Sequence, residues 1–130
     1  MEELVPGLQA ELEHMVTEAD SAAHWGSGLA PVFSTPALVG LMESTAVAAL
    51  TGHVAPGQTT VGAHIDVRHL AATPIGMQVR ARAELKRVEG RKLVFKIQAW
   101  DAVELIGEAD HERFVIDEAR FLARIQAKGK

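Results

Sequence analysis

Cysteine is absent from this 130-residue chain, which removes disulfide staples, thiolate metal sites and a cysteine nucleophile from consideration. An excess of basic charge is missing as well. Thirteen Lys and Arg stand against 17 Asp and Glu, for a net charge of -4, so the electrostatic footprint of a nucleic-acid binder is lacking. The opening segment, Met1-Glu-Glu-Leu-Val-Pro-Gly, carries acidic residues and no apolar run, and no secretory signal is expected there. The one long uncharged stretch is interrupted by Pro31, Pro36, Pro56 and several glycines and holds three histidines, which excludes a membrane-spanning helix. There is no P-loop, dinucleotide fingerprint or Ser-His-Asp signature, and Gly26-Ser-Gly28 alone does not make one. Repeats, low-complexity tracts and linkers do not occur. With 48% hydrophobic residues, the expectation is one cytoplasmic domain over residues 1–130, without nucleic-acid or membrane partners and with a core of ordinary size.

The most informative residue is Glu43, the sole formal charge between Asp20 and Asp66. It sits inside the apolar run from Ala37 to Leu50. Charged residues make up 23% of the chain, so a stretch of that length would ordinarily hold about ten of them. An ionised carboxylate in an apolar interior costs several kcal/mol unless it is paired, hydrogen-bonded or neutralised. Glu43 therefore either satisfies a structural partner or does chemistry in a pocket.

Periodicity orders the elements around it. Leu8, Ala10, Leu12, His14 and Val16 alternate with polar residues over 8 to 17, as a half-buried strand does, with Met15 on the polar side. Residues 20 to 34, rich in Ser, Gly, Ala and Pro, read as a loop. Ser34-Thr35-Pro36 predicts a helix start with Thr35 as N-cap, running to about Leu50 and closing near Gly52. Apolar residues surround Glu43, Ser44 and Thr45 on every side, so other structure is expected to wrap this helix.

From Thr59 the period becomes two. Val61, Ala63, Ile65, Val67, His69 and Ala71 share one face; Gly62, His64, Asp66, Arg68 and Leu70 share the other. Thr73-Pro74-Ile75-Gly76 reads as a turn. Met77, Val79, Ala81, Ala83 and Leu85 then point inward on a second strand, Val88-Glu89-Gly90-Arg91 forms a hairpin, and Leu93, Phe95, Ile97 and Ala99 continue. A last strand covers about 104 to 116, and 117 to 127 suit an amphipathic helix. The class is α+β: a sheet of about five antiparallel strands, curled around a central helix because an all-apolar helix can be covered in no other way.

Three further residues carry potential chemistry. His69 falls in phase with the inward face of its strand, toward the interior that should hold Glu43. An inward histidine is more often a hydrogen-bonded core residue, but one facing a helix whose only charge is a glutamate suits acid–base work. Thr35 would introduce the free amides and positive dipole end of the helix, which suit a developing oxyanion. Eight residues separate Thr35 from Glu43, about 12 Å of helical rise, so the two cannot touch within one helix. Arg113, in phase with His111, Ala109, Gly107 and Leu105, requires an anion or solvent. The basic hairpin Lys86-Arg87…Arg91-Lys92 reads as a solvated turn. The histidines lack metal-ligand spacing: His64 and His69, five apart on a strand, point to opposite faces.

These residues, in this order, resemble the hotdog-fold thioesterases, and most closely the fluoroacetyl-CoA thioesterase type. The resemblance rests on Val32-Phe-Ser-Thr-Pro-Ala-Leu-Val-Gly-Leu-Met-Glu43, on Gly62-Ala-His-Ile-Asp-Val-Arg-His-Leu-Ala-Ala-Thr-Pro74, on Val88-Glu-Gly-Arg91 and on His111-Glu-Arg113. It implies a homodimer or higher homo-oligomer with active sites at subunit interfaces, and Thr35, Glu43 and His69 as catalytic residues. It also implies Gly62 and Arg113 on the substrate side, an acyl-CoA substrate, and no metal or cofactor. His24-Trp-Gly-Ser-Gly-Leu-Ala-Pro31 has little of the aromatic lid associated with fluoroacetyl discrimination, so the acyl group stays open.

The reaction implied is hydrolysis of an acyl-CoA thioester, with Glu43 as base on water or as nucleophile. A hydratase or dehydratase of the same fold and a non-catalytic acyl-CoA binder are the alternatives, and fold analogy alone does not separate them.

Overall fold

The computed structural model describes residues 3–129; Met1 and Glu2, part of the N-terminal segment read above, lie outside them. In chain order the elements are β1 (Gln9–Met15), a 3₁₀ turn (Glu18–Asp20), α1 (Ala22–Trp25), α2 (Thr35–Ala49), β2 (Gln58–His69), β3 (Gln78–Glu89), β4 (Lys92–Trp100), β5 (Leu105–Asp117) and α3 (Glu118–Lys128). The strands form one antiparallel sheet in the order β1-β3-β4-β5-β2. The α+β reading and the five strands hold, with boundaries shifted by one to three residues.

Alternation explains how the sheet receives α2. The inward residues Val79, Ala81, Ala83 and Leu85 of β3 and Leu93, Phe95, Ile97 and Ala99 of β4 are at most 1% exposed. Leu38, Met42, Ala46 and Ala49 of α2 pack into the same core. Three of those strand residues are alanines, which lets the helix approach closely. Gly107 on β5 serves the same end: a Cβ there would come within 2.9 Å of Leu38 Cδ2 and 3.3 Å of Met42 Cε. Leu38 and Met42 are fully buried, and truncating either to alanine would cost about 2–5 kcal/mol.

One expectation about α2 changes. Its N-cap is Ser34, whose Oγ accepts from the Ala37 N–H at 3.3 Å, while Thr35 is the first helical residue. Adjacent hydroxyl residues compete for one capping position, and here the extended backbone of Ser34, with ψ 156°, wins. The sheet wraps the helix but leaves one face of it open, at Gly40, Ser44 and Val47.

The segment before α2 is more ordered than a loop. Ser21 caps α1 by accepting from the His24 N–H, and Gly26 ends it with a φ of 69°. Gly90, with a φ of 65°, makes the tight turn joining β3 to β4, and Glu89 pairs with Lys92 across it. The surrounding basic residues engage Glu84, Glu89 and Asp117 in solvent-exposed ion pairs, as a solvated turn should.

A β-bulge sets the geometry of the site. β2 and β5 run in register from Gln58↔Asp117 to Gly62↔Arg113, then resume at His64↔Glu112, which leaves Ala63 as an extra residue. One inserted residue exchanges the faces of a strand. Gly62 therefore turns toward α2 and the inner face of Arg113, contrary to the uninterrupted alternation that placed it with His64 on the outer side.

Candidate active site

Thr35 opens α2 and His69 closes β2. The segments flanking them are drawn together by backbone contacts: the Phe33 N–H donates to the Thr73 carbonyl at 2.8 Å, and Val32 bridges Pro74. Thr35 Oγ1 then lies 2.8 Å from His69 Nδ1. His69 Nε2 is buried without a hydrogen-bond partner among the described residues. Burial pulls the His69 pKa below its ordinary 6.5, and the Ala71 backbone draws it partly back. Burial thus favours the neutral imidazole. Both residues line a cavity of about 390 Å³ together with Ala22, Leu29, Val32 and Leu70.

Glu43 lies two turns further along α2 and is not the desolvated group its apolar sequence context suggests. Its side chain is 41% exposed, and Oε2 accepts from Arg113 Nη1 at 3.3 Å. Arg113 is the buried partner, with 7% of its side chain exposed. Its Nε donates to Thr60 Oγ1 at 3.0 Å, Nη2 donates to the Thr60 carbonyl at 3.2 Å, and Nη1 also donates to His111 Nε2 at 3.2 Å. Burial lowers the Arg113 pKa and the Glu43 carboxylate opposes that fall; the guanidinium stays charged at any ordinary pH. The anion that Arg113 required is thus Glu43.

Gly62 is the third side of this cluster. A Cβ on it would stand 2.7 Å from Glu43 Oε2, 3.2 Å from Arg113 Nη1 and 3.4 Å from His111 Cε1, so only glycine fits without displacing the pair. Glu43, Gly62, Ala63, His64, Ile65 and His111 line a second cavity of about 170 Å³.

The expected pairing of His69 with Glu43 does not occur within the protomer. His69 binds Thr35 and Glu43 binds Arg113, so five singled-out residues fall into two clusters: Thr35 with His69, and Glu43 with Gly62 and Arg113. Thr60 and His111 belong to the second cluster and were not singled out as site residues. The phase shared by His111 and Arg113 on β5 was a usable signal for one; nothing local marked Thr60.

A curved antiparallel sheet of five strands holding one helix is the hotdog architecture of the thioesterase superfamily. The family described as fluoroacetyl-CoA-specific thioesterase matches residues 16–119, and the chain belongs to that family. It is 44% identical to the fluoroacetyl-CoA thioesterase of Streptantibioticus cattleyicolor over 97 residues, covering 75% of this chain and 70% of that protein. A solved structure of a fluoroacetyl-CoA thioesterase superposes with a TM-score of 0.92 at 34% identity, over 98% of each chain. A thioesterase superfamily member from Thermus thermophilus shares the fold at a TM-score of 0.89 and 24% identity, over 99% of this chain and 96% of that one.

Proposed function

We propose that this protein hydrolyses an acyl-CoA thioester to free acid and CoA at a site completed by two copies of the chain. One copy supplies Thr35 and His69, the other Glu43, Gly62 and Arg113. The observation that carries this reading is the division of the candidate groups into two hydrogen-bonded clusters on one protomer. Eight residues of the same helix separate Thr35 from Glu43, about 12 Å, too far for one reacting bond. Two further features favour a second copy. β2 is a 12-residue strand at the sheet edge, paired on one side by β5 alone, and α2 leaves Gly40, Ser44 and Val47 uncovered beside it. Long bare edges of this kind invite pairing with another chain.

In this reading the thioester carbonyl sits over Gly62, where no side chain intrudes. The Arg113 cation beside it offsets the charge that develops on the carbonyl oxygen. Glu43, half open to solvent, either takes a proton from the attacking water and passes it on to the departing CoA sulfur, or attacks directly to give an acyl anhydride. Water then hydrolyses that anhydride, while the CoA thiolate takes its proton from solvent. Thr35, held by His69, orients the carbonyl or the water. A cytoplasmic setting accords with a CoA thioester substrate.

Free-thiol release from acyl-CoAs of short to long chain, by wild type and Glu43→Gln side by side, tests the reaction. Mixing Thr35→Ala and Glu43→Gln protomers tests the shared site. In a two-fold dimer each mixed pair regains one intact site, which restores roughly a quarter of wild-type turnover after random exchange. A mixture as inactive as its components would place all the groups in one protomer; no thiol release by wild type would sink the hydrolase reading.

A further inference from the structure

His111 is among the most buried polar residues of the chain, 1% exposed, and the mechanism above does not use it. Its surroundings fix its hydrogens. Nδ1 lies 2.8 Å from the His64 carbonyl oxygen. A carbonyl only accepts, so Nδ1 carries a proton. Nε2 lies 3.2 Å from Arg113 Nη1. A guanidinium only donates, so Nε2 must present its lone pair. A proton on Nε2 would set N–H against N–H at that distance, on a ring that is 1% exposed. Only the neutral ring with hydrogen on Nδ1 satisfies both contacts.

We propose that His111 is a positioning residue: its Nε2 lone pair receives Arg113 Nη1–H and aims that nitrogen at Glu43, while Thr60 holds the other side of the guanidinium. Nη1 is the nitrogen shared between His111 and Glu43 Oε2, at 3.2 and 3.3 Å. Removing the lone pair frees Nη1 to rotate away from the carboxylate. Every element packed on the ring takes part. β2 provides the His64 carbonyl and a neighbouring imidazole, β5 provides Arg113, α2 provides Glu43, and Phe95 of β4 lies with its ring centroid 6.1 Å away at an interplanar angle of 33°. Burial, with the Arg113 guanidinium adding to it, keeps this imidazole below its ordinary pKa, against the pull of the His64 carbonyl and of Glu43.

The inference deepens the thioesterase reading and rests on it for its kinetic consequence, but the proton arrangement is measurable without turnover. In ¹⁵N-histidine-labelled protein at pH 7, His111 should give the two-bond correlation pattern of a neutral ring protonated on Nδ1. A ring protonated on Nε2, or on both nitrogens, overturns the proposal whether or not the protein hydrolyses thioesters. Kinetically, His111→Leu should lower kcat about tenfold with KM changed less than about threefold, because the pair it aligns acts on the reacting atoms. His111→Gln, whose amide carries both an acceptor for Arg113 and a donor for the His64 carbonyl, should recover most of that loss. It should also remove the part of the acid limb of the pH–rate profile that comes from protonating the ring. A folded His111→Leu with wild-type kcat, or a His111→Gln no better than His111→Leu, overturns the positioning role. Should His111→Leu fail to fold, the nitrogen spectrum of wild type decides alone.

Discussion

Thr35 Oγ1 and His69 Nδ1 hold each other at 2.8 Å, while Glu43, on the helix that Thr35 begins, is engaged by Arg113. The two couples differ electrically. The first joins a hydroxyl to an imidazole whose neutral form burial favours; the second joins full charges, one buried and one open to solvent. A thioester needs both kinds of help: a charge to stabilise its oxyanion and an uncharged hydroxyl to orient it without competing for that charge. α2 carries Thr35 as its first residue and Glu43 two turns further on, while the cation comes from Arg113 on β5.

Glu43→Gln keeps the size and one acceptor of the side chain but removes its charge and basicity. Turnover should fall about 10²-fold or more, and the melting temperature should fall as well, because Arg113, only 7% exposed, loses its counter-ion. Thiol release and a melting curve on the same sample check both halves. Near-normal turnover would take Glu43 out of the chemistry and leave it as a counter-ion for Arg113.

Gly62→Ala probes the same pair by crowding. The added methyl would lie 2.7 Å from Glu43 Oε2 and 3.2 Å from Arg113 Nη1. Both are ends of flexible side chains, so the fold should survive with a loss of about 1 kcal/mol or less. The carboxylate, however, must move, and kcat should fall about tenfold or more through misplacement alone. A variant that melts normally and turns over normally would show that the close approach at Gly62 has no bearing on the reaction.

Thr35 separates a hydroxyl role from a helix-start role. Because Ser34 is the N-cap, replacing Thr35 should not uncap α2. Thr35→Ser preserves the partner for His69 and should stay within about threefold of wild type; Thr35→Ala should lose about tenfold or more in kcat. Circular dichroism should show unchanged helix in both. Equal activity in the two variants would remove the hydroxyl from the mechanism.

The parts of this molecule readable from sequence are those governed by short periods. Val79, Ala81, Ala83 and Leu85 face inward because alternate residues of a strand must, and the same rule located β4, β5 and the five-strand count. What escaped depends on contacts far apart in the chain. Arg113 reaches Glu43 across 70 positions and Thr60 across 53, distances over which no local pattern operates. The bulge at Ala63 leaves no mark in composition, yet it moves Gly62 to the working face. Periodicity points His69 and Glu43 toward one interior, yet Glu43 is 41% exposed and pairs with Arg113, while His69 pairs with Thr35. Curvature then set His69 beside the start of α2 and Glu43 beside the middle of β2, which periodicity alone cannot separate. Ser21 and Gly26, bracketing the four residues of α1, were a legible cap and stop inside a segment dominated by loop-forming residues.

Stability should depend on pH through the buried imidazoles. His69 and His111 both have folded-state pKa values below the ordinary 6.5, burial being the largest cause in each. Between their folded values and 6.5 the unfolded chain binds protons that the folded chain refuses, so unfolding gains ground as protons are added. The stabilisation from keeping these rings neutral is fully present above about 6.5 and is lost as pH falls through that value toward the folded ones. Asp20 and Asp101 act in a different window. Burial raises each, but hydrogen bonds from Thr17 and His14 to Asp20, and from Val103, Thr73 and Glu104 to Asp101, leave both below 3.8; their contribution persists until pH drops beneath that value. At fixed protomer concentration, the melting temperature should therefore decline between pH 7.5 and 5.5. The decline should be shallower in a His69→Asn, His111→Gln double variant than in wild type. Parallel slopes for the two proteins would mean that neither imidazole is held neutral by the fold.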